Sequence, residues 1–391
     1  MTVQGGLFLL LAAAVVAMLA RRLRLPYSVA LVVAGVLLSF LPFWPEIPLT
    51  KELLFTALLP PLIFESAFHL HWKELRKDLA VISVLATLGV LLSAMVTAFG
   101  MHRLVRWEWS AALVFGVLIA ATDPVSVIAI FREAGARGRT RLLVEAESLF
   151  NDGTAAVGFA VAVDFARGGT LTPLDAIPRL AATAAGGILC GGIVAAVVLW
   201  LAGRTQDHLV EITFTTVAAY ASFLLAEGMH LSGVLATLTA GLVLGNVGPL
   251  GAISGRGREA VEAFWEYAAF VANSMVFLLI GMREARQDFR AAWVPALVAI
   301  ALVTLGRAFA VYPCCLLFAR TRLRVEPRRQ HILFWGGVRG ALALALALAL
   351  PEQVPQREAI VTVSFAVVAF SIFAQGLTMA PLLRRLAESP P

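Results

Sequence analysis

The sequence predicts an all-α polytopic membrane protein with about 13 transmembrane helices. Its 391 residues are 60% hydrophobic and only 14% charged, and the mean hydropathy is +0.86. Soluble proteins have an apolar share of about 45–50% and a charged share of about 25%, so this composition excludes an ordinary soluble enzyme or nucleic-acid-binding protein. A bilayer-spanning helix needs about 20 apolar residues, and the chain therefore has room for roughly a dozen spans joined by short loops.

Long apolar runs, separated by charges, glycines and prolines, define the individual spans. The first run is followed, not preceded, by Arg21, Arg22 and Arg24, which predicts a retained helix and not a cleaved signal peptide. The alternating run ALALALALAL at 341–350 is expected to be helical, because alanine and leucine favour helices and an open strand cannot satisfy its backbone in lipid. The segment 253–266 mixes charges with aromatic residues and predicts a short interfacial helix. The predicted spans are 5–20, 26–43, 53–68, 79–101, 111–131, 143–165, 180–202, 209–226, 231–247, 266–281, 291–319, 331–350 and 358–382.

The basic residues indicate how the chain is oriented in the membrane. The formal net charge is +6, which in a membrane protein reflects arginine and lysine gathered in cytoplasmic loops and not a nucleic-acid partner. Loops on the side of Arg21 carry 20 of the 31 lysines and arginines, loops on the opposite side carry 9, and Arg307 and Arg339 lie within spans. This distribution predicts an external N-terminus, a cytoplasmic C-terminus and a single transmembrane domain over 1–391.

Six ionisable side chains lie inside the predicted spans, where each costs roughly 2.5–3.5 kcal/mol on the insertion scale. Such residues either pair with one another and lock helices together or mark an ion pathway. The six consist of four acids and only two bases, so ion pairing leaves two carboxylates without a partner. These two carboxylates predict the binding of a mobile cation, either a proton or a metal ion. The six residues are Glu65, Asp123, Glu147, Asp152, Arg307 and Arg339.

The segment EAESLFNDGTAAVGF at 145–159 is the most informative part of the sequence. Ser148 and Asp152 are four residues apart and share one helix face, while Glu147 and Asn151 share the neighbouring stripe. One stripe can therefore face an ion while the other faces a partner helix. Carboxylate and hydroxyl oxygens suit an alkali or alkaline-earth cation, whereas no histidine or cysteine is near enough in sequence to suggest a transition metal.

A second motif, ATDP at 121–124, interrupts the fifth span. Pro124 has no backbone N–H, clashes with the Ala120 carbonyl and disfavours helix at Asp123, which predicts a broken helix. A bare proline kink is the alternative interpretation. With Asp123 beside it, the break predicts a site, since carbonyls freed at a break line cavities and bind cations in many transporters.

A third motif, FWGGVRGALAL at 334–344, places Arg339 among three glycines that permit an unwound or closely packed backbone. An arginine this deep in the membrane needs a carboxylate partner, and Glu147 is the predicted one. Arg307 is expected to have a structural or a gating role. Glu65 can reach the membrane interface as readily as it can face the site.

These motifs resemble those of a known family. ATDP at 121–124, ESLFND at 147–152 and GGVRGA at 336–341 are similar, in content and order, to the monovalent cation:proton antiporters of the NhaP and sodium/proton exchanger type. PPLIFESAF at 60–68 and FLLIGM at 277–282 are similar to secondary motifs of that family. The resemblance covers essentially the whole chain, and three motifs in matching spans make it specific.

The resemblance implies a thirteen-helix fold made of two inverted repeats, in which a core domain moves against a dimerisation domain. The fifth and twelfth spans would be the discontinuous helices that cross at the centre. A homodimer in the inner membrane of a prokaryote is implied as well, with no cofactor and with the transported ions and the lipid bilayer as partners.

The ion and proton site implied by the resemblance is centred on Asp152. Asn151 matches the asparagine of the family's ND pair, and Glu147 with Arg339 matches its buried salt bridge. The residues that would complete the Na⁺ site, directly or through water, are Asp123, Ser148, Glu65 and the main-chain carbonyl of Thr122.

The function implied is secondary active antiport of a monovalent cation against H⁺, with Na⁺ in first place, Li⁺ or K⁺ as alternatives, and no enzymatic activity. Competition between cation and proton at Asp152 would couple the two fluxes, and Asn151 in place of a second aspartate implies electroneutral exchange. A sodium-coupled symporter for an organic anion is the main alternative. An intramembrane aspartyl protease using Asp123 and Asp152 would lack a GxGD-like motif, and a channel would not show saturable exchange.

Overall fold

Helices make up the regular structure of the protein in this computed structural model, and no strand occurs among the residues it describes. The described residues are 3–386 with the exception of 24, 42–48, 124–130, 132–137, 170–172, 249–252, 288, 289 and 291. We number the helices α1 (Val3–Leu23), α2 (Tyr27–Ser39), α3 (Leu53–His69), α4 (Trp72–Val105), α5 (Trp109–Leu118), α6 (Arg139–Ala166), α7 (Pro173–Ala202), α8 (His208–Gly228), α9 (Gly233–Val247), α10 (Gly255–Glu284), α11 (Trp293–Leu316), α12 (Pro327–Trp335), α13 (Ala341–Leu348) and α14 (Arg357–Leu386).

Eight of these helices are long and apolar enough to cross a membrane, and four shorter apolar helices accompany them. Each of the thirteen predicted spans coincides with a helix or a broken helix, which confirms the predicted fold class. In the fifth span α5 ends at Leu118, and most of the predicted remainder, including Pro124, lies outside the described residues. The twelfth span is interrupted between α12 and α13, and its alternating Ala-Leu run forms α13 as predicted.

The segment 253–266 differs from its prediction. α10 runs without a break over Gly255–Glu284, so this segment is not a separate interfacial helix. Val261 and Trp265 in its first half are buried, and the Trp265 Nε1–H donates to Thr215 Oγ1 at 3.0 Å. The apolar face of this amphipathic stretch therefore packs against α8 and not against lipid headgroups.

The helices form two groups, defined by which helices pack most closely with one another. The panel group consists of α1–α3 and α7–α10, and the core group consists of α4–α6 and α11–α14. The same order, panel helices followed by core helices, occurs twice along the chain, as two repeats require. Within the panel group α2 and α10 approach so closely that a Cβ on Gly35 would overlap the Leu278 carbonyl oxygen.

Helix α6 lies at the boundary between the two groups. It belongs to the core group but also contacts α3, α7 and α9 of the panel group. Most of its residues from 143 to 153 are buried. The polar motif of α6 is therefore enclosed where the two groups meet.

Candidate ion-binding site

The unwound parts of the fifth and twelfth spans contact each other inside the core group. The chain is non-helical from 121 to 123, and it is non-helical again between α12 and α13. The Asp123 backbone N–H donates to the Val338 carbonyl at 2.7 Å. A Cβ on Gly340 would lie 2.6 Å from the Asp123 Cβ, so only glycine permits this approach. Both breaks predicted from the sequence are therefore present.

Polar side chains of α6 hold the first break in place. Thr122 Oγ1 donates to Ser148 Oγ at 2.9 Å, and the Thr122 backbone N–H donates to Asn151 Oδ1 at 3.1 Å. Asn151 Nδ2 donates in turn to Thr122 Oγ1 at 2.7 Å and to Glu147 Oε1 at 3.1 Å. All four side chains are buried, where unsatisfied polar groups would be costly. The network thus brings three predicted residues of α6 together with Thr122.

The buried partner of Glu147 is Arg307 of α11, and the predicted pairing of Glu147 with Arg339 is wrong. Arg307 donates from Nη1 to Glu147 Oε1 at 2.7 Å and from Nη2 to Oε2 at 2.8 Å. Its Nη2 also donates to the Leu333 carbonyl at 2.9 Å. Because this planar fork matches the carboxylate, the pair joins α6, α11 and α12. Arg307 therefore has a structural contact, and a gating role stays a prediction.

Arg339 binds main-chain oxygens, which explains why it does not need a carboxylate. Its Nη1 donates to the carbonyls of Ala120 at 2.6 Å and Ala121 at 3.2 Å. Its backbone N–H donates to Ser371 Oγ at 2.8 Å. The two carbonyls follow the end of α5, where acceptors are left without helical donors and the helix dipole favours a positive charge. The break in the fifth span itself supplies the partners of Arg339.

A cavity of about 20 Å³ lies beside the two breaks and is lined by Thr122, Asp123 and Asp152 together with apolar side chains of α3, α6 and α13. This volume has room for about one water-sized particle. Asp152 is 4% exposed, and its Oδ1 has no hydrogen-bond donor among the described residues. A buried carboxylate oxygen in this state is costly. A proton or a small cation on Asp152 would remove that cost.

Two of the predicted ion-site residues do not line this cavity. Ser148 lies behind Thr122, whose hydroxyl donates to it. Glu65 lies on α3 with a carboxylate oxygen 3.4 Å from His69 Nδ1. The side chains of α3 that line the cavity are Leu59, Leu62 and Ile63.

A larger cavity of about 520 Å³, which we call the vestibule, separates the panel and core groups toward one end of the bundle. It follows the face of α6 that continues from Asp152, over residues 156–163. Its charged and titratable lining residues lie on the side of the membrane opposite to the loop that contains Arg21. Because that loop is predicted to be cytoplasmic, the vestibule is predicted to open to the outside. These lining residues are Lys51, Arg167, Glu227 and His230.

Glu227 and the side chains that support Arg339 were not predicted from the sequence. Glu227 lines the vestibule and accepts from the Gly233 N–H at 3.1 Å. Ser371, which binds the Arg339 backbone, donates in turn to Gln375 Oε1. Each of these is a polar side chain inside an otherwise apolar run, which is the signal that could have identified it.

The chain is similar to known proteins over most of its length. The sequence matches the family model described as "Sodium/hydrogen exchanger, transmembrane" over residues 8–385. The Na⁺/H⁺ antiporter ApNhaP of Aphanothece halophytica is 36% identical over 365 residues, which cover 93% of this chain and 70% of the relative. The Na⁺/H⁺ antiporter NhaP of Pseudomonas aeruginosa is 35% identical over 353 residues, which cover 87% of this chain and 82% of the relative.

The fold has a close counterpart among solved structures. The sodium proton antiporter MjNhaP1 from Methanocaldococcus jannaschii matches with a TM-score of 0.79 at 20% sequence identity, over 98% of both chains. This likeness supports the helical architecture, and the family model together with relatives above 30% identity supports common descent. The chain therefore belongs to the sodium/hydrogen exchanger family.

Proposed function

We propose that this protein is a secondary active antiporter that exchanges a monovalent cation, in first place Na⁺, for H⁺ across a membrane. The observation that carries the proposal is the buried Asp152 Oδ1, which has no donor within the described part of the chain and lines a cavity of about 20 Å³. The relatives reported above are named Na⁺/H⁺ antiporters, which favours antiport over sodium-coupled symport. A cavity with room for about one water-sized particle also favours a small cation over an organic anion at this position.

Competition for Asp152 couples the two fluxes in this mechanism. A cation or a proton neutralises the carboxylate, whereas the empty charged form is costly to move through a low-dielectric barrier. Only the two occupied forms then carry the site from one side of the membrane to the other. The core group moves against the panel group, and the vestibule gives access to Asp152 from one side.

The cation is held by hard oxygen ligands, which suit Na⁺ and also Li⁺ or K⁺. Asp152 and Asp123 supply carboxylate oxygens, and Thr122 supplies its main-chain carbonyl. Ser148 acts through its hydrogen bond with Thr122, which fixes the position of the non-helical segment. This assignment rests on the cavity lining and on the hydrogen bonds of the first break.

The exchange is electroneutral in this proposal, with one proton for one monovalent cation. Asn151 occupies the place beside Asp152 where a second carboxylate would carry a second exchangeable charge. Its amide donates to Glu147 and to Thr122, and an amide has no proton to release in this pH range. Asn151 therefore supports the site without titrating.

We further propose a homodimer in the inner membrane of a prokaryote, with the N-terminus outside and the C-terminus in the cytoplasm. The uneven distribution of lysine and arginine between the two sides supports the orientation. Exposed apolar side chains on α7 support contact with lipid or with a second copy through the panel group. These include Leu189, Ile193 and Trp200.

The test is cation-driven proton movement in proteoliposomes that contain the purified protein and an internal pH dye. Addition of Na⁺, Li⁺ or K⁺ to the wild type is expected to change the internal pH for at least one of these cations. Asp152→Asn is expected to reduce the signal to the level of protein-free vesicles. Asp164→Asn is the matched control, because Asp164 is an exposed aspartate on the same helix, and it should keep wild-type transport.

Robust exchange by Asp152→Asn would overturn the proposal. A wild type that is silent with all three cations, but takes up sodium when an organic anion is added, would replace it with the symporter. Correct folding of Asp152→Asn is checked separately by its unfolding temperature in detergent, so a loss of signal can be assigned to the site.

A further inference from the structure

The connection between α11 and α12 forms an open groove at the end of the bundle that is predicted to be cytoplasmic. The associated cavity measures about 630 Å³. Pro313 lies inside α11 near its end, and it cannot donate a helical hydrogen bond. Leu316 and Leu317 follow with 72% and 62% of their surfaces exposed. The lining of the groove includes Tyr312, Pro313, Leu316 and Arg324.

The connecting segment 320–329, of which Arg324 lines the groove, forms a strongly basic rim. Residues 320–329 contain five arginines and one acidic residue, Glu326, and Glu326 lies 3.8 Å from Arg329. The side chains of three further arginines are without an ion pair among the residues that the structure describes. These are Arg320, Arg322 and Arg324.

One wall of the groove is fixed before any ligand binds. The Tyr312 hydroxyl and His331 Nδ1 are 2.8 Å apart and share a hydrogen bond. The Tyr312 ring centroid is 5.6 Å from that of His331 and 5.6 Å from that of Phe334. Aromatic side chains with a polar tip favour the level at which membrane headgroups meet the acyl chains. The groove therefore offers a rigid aromatic wall, an apolar floor and a basic rim.

We propose that this groove binds one anionic phospholipid, with its phosphate at Arg322 and Arg324 and an acyl chain along Leu316. Charge complementarity selects the anionic headgroup, because basic pockets on the cytoplasmic side of transmembrane bundles bind such lipids. The exposed leucines select a lipid over a free phosphate, since they lie within the predicted span 291–319 and place the groove beside the acyl chains of the bilayer.

The bound lipid would be linked to the helix that carries Asp152. Arg139, in the first turn of α6, donates to the carbonyls of Leu323 and Arg324, at 2.9 Å in each case. The same guanidinium donates to Asp78 of α4 at 2.7 Å. A lipid that orders the α11–α12 connection would therefore order the start of α6, and it should raise the transport rate. This last step rests on the proposed antiport, whereas lipid binding does not.

The test compares two double variants that each remove two exposed positive charges from the same end of the bundle. Arg322→Gln with Arg324→Gln changes the groove, and Arg384→Gln with Arg385→Gln at the end of α14 is the matched control. Each purified protein is titrated with phosphatidylglycerol, with phosphatidylcholine of the same acyl chains and with inorganic phosphate. The unfolding temperature in detergent and the lipid retained in native mass spectra are measured.

Wild type and control should be stabilised by phosphatidylglycerol, and not by phosphatidylcholine or by inorganic phosphate. The groove variant should bind phosphatidylglycerol at least tenfold more weakly, in line with the contribution of two arginines near a membrane surface. Leu316→Ser should weaken phosphatidylglycerol binding as well, with the arginines intact. Stabilisation by inorganic phosphate at the same concentration would replace the lipid with a free anion.

Equal binding by the groove variant and the control would overturn the proposal, since a general surface charge would then explain the lipid preference. Unchanged binding by Leu316→Ser would also overturn it, because the acyl chain would then lie elsewhere. Transport is measured afterwards, in vesicles with and without phosphatidylglycerol. Lipid binding without any gain in transport would refute the link through Arg139 and leave the site itself in place.

Discussion

Glu147 and Asp152 are buried carboxylates on the same helix, five residues apart, with opposite surroundings. Glu147 has both oxygens bound by Arg307 and accepts a further hydrogen bond from Asn151. Asp152 lines a cavity, and its Oδ1 has no donor among the described residues. Because a helix turns by 100° per residue, the two side chains point in different directions from α6. One carboxylate therefore has a fixed partner within the described residues, and the other has an oxygen without a donor, as the proposed exchange requires.

The largest change in stability is expected when the partner of Glu147 is removed. Arg307→Ala leaves a buried carboxylate without its counter-charge, and it should lower the free energy of unfolding by about 3–5 kcal/mol. Arg307→Lys keeps the charge but loses the planar fork and should lie between this variant and wild type. Arg339→Ala should cost less, about 1–3 kcal/mol, because that side chain binds carbonyls. The measurement is the free energy of unfolding of all three variants in detergent. Equal decreases in this free energy for Arg307→Ala and Arg339→Ala would contradict the pairing of Arg307 with Glu147.

The second test disturbs the surroundings of Asp152 through the backbone. Gly340→Ala places a Cβ 2.6 Å from the Asp123 Cβ, and overpacking of this kind costs about 1–3 kcal/mol. Transport in proteoliposomes should fall together with stability, because Asp123 and Asp152 line the same cavity. Gly192→Ala is the control, since a Cβ there meets no atom within 4 Å. It should keep transport, and a Gly340→Ala variant with wild-type transport would show that the contact between the two breaks is dispensable.

The third test uses pH, since an exchangeable partner of Asp152 must compete with the proton. When protons occupy the carboxylate, each unit of decrease in pH should raise the half-saturating Na⁺ concentration by up to about tenfold, equivalent to about 1.4 kcal/mol. The measurement is the Na⁺ dependence of proton movement at a series of pH values. Asp164→Asn should give the wild-type profile. A half-saturating concentration that does not change with pH, while the maximal rate does, would indicate separate proton and cation sites.

The smallest expected effect is on the stability of Asp152→Asn. Removing a carboxylate that has an unsatisfied oxygen should change the free energy of unfolding by less than about 1 kcal/mol, or increase it. Glu147→Gln, the same chemical change five residues earlier, leaves Arg307 buried without a counter-charge and should be strongly destabilising. The measurement is the free energy of unfolding of the two variants in detergent under the same conditions. Similar losses in both would show that Asp152 has a structural partner after all.

The sequence was sufficient for the helices and for the two breaks. Long apolar runs must be helical in lipid because no other regular structure satisfies the backbone without a closed barrel. The motif at 121–124 and the glycines around Arg339 predicted interruptions that the structure contains. The polar stripes of α6 followed from the period of the helix. These features depend on local sequence, which is why they could be predicted.

The pairing of charges could not be predicted in the same way. Two buried arginines were available for one glutamate, and the choice depends on how α11 and α12 are placed around α6. Arg339 is satisfied by carbonyls that exist only because α5 ends near Ala120. Glu65 is close to His69 and does not line the cavity, which depends on the packing of α3 and not on its motif. Partner choice is a property of packing between distant segments.

The vestibule also shapes the electric field across the protein. An open cavity of about 520 Å³ with charged lining residues admits water, and water has a far higher dielectric constant than packed side chains. Its nearest lining residue on α6, Ala156, is one helical turn or about 6 Å from Asp152. In the proposed mechanism, the membrane voltage would therefore fall mainly between Asp152 and the opposite end of the bundle. Because the site moves only when a cation or a proton neutralises Asp152, that movement would carry no net charge through this voltage.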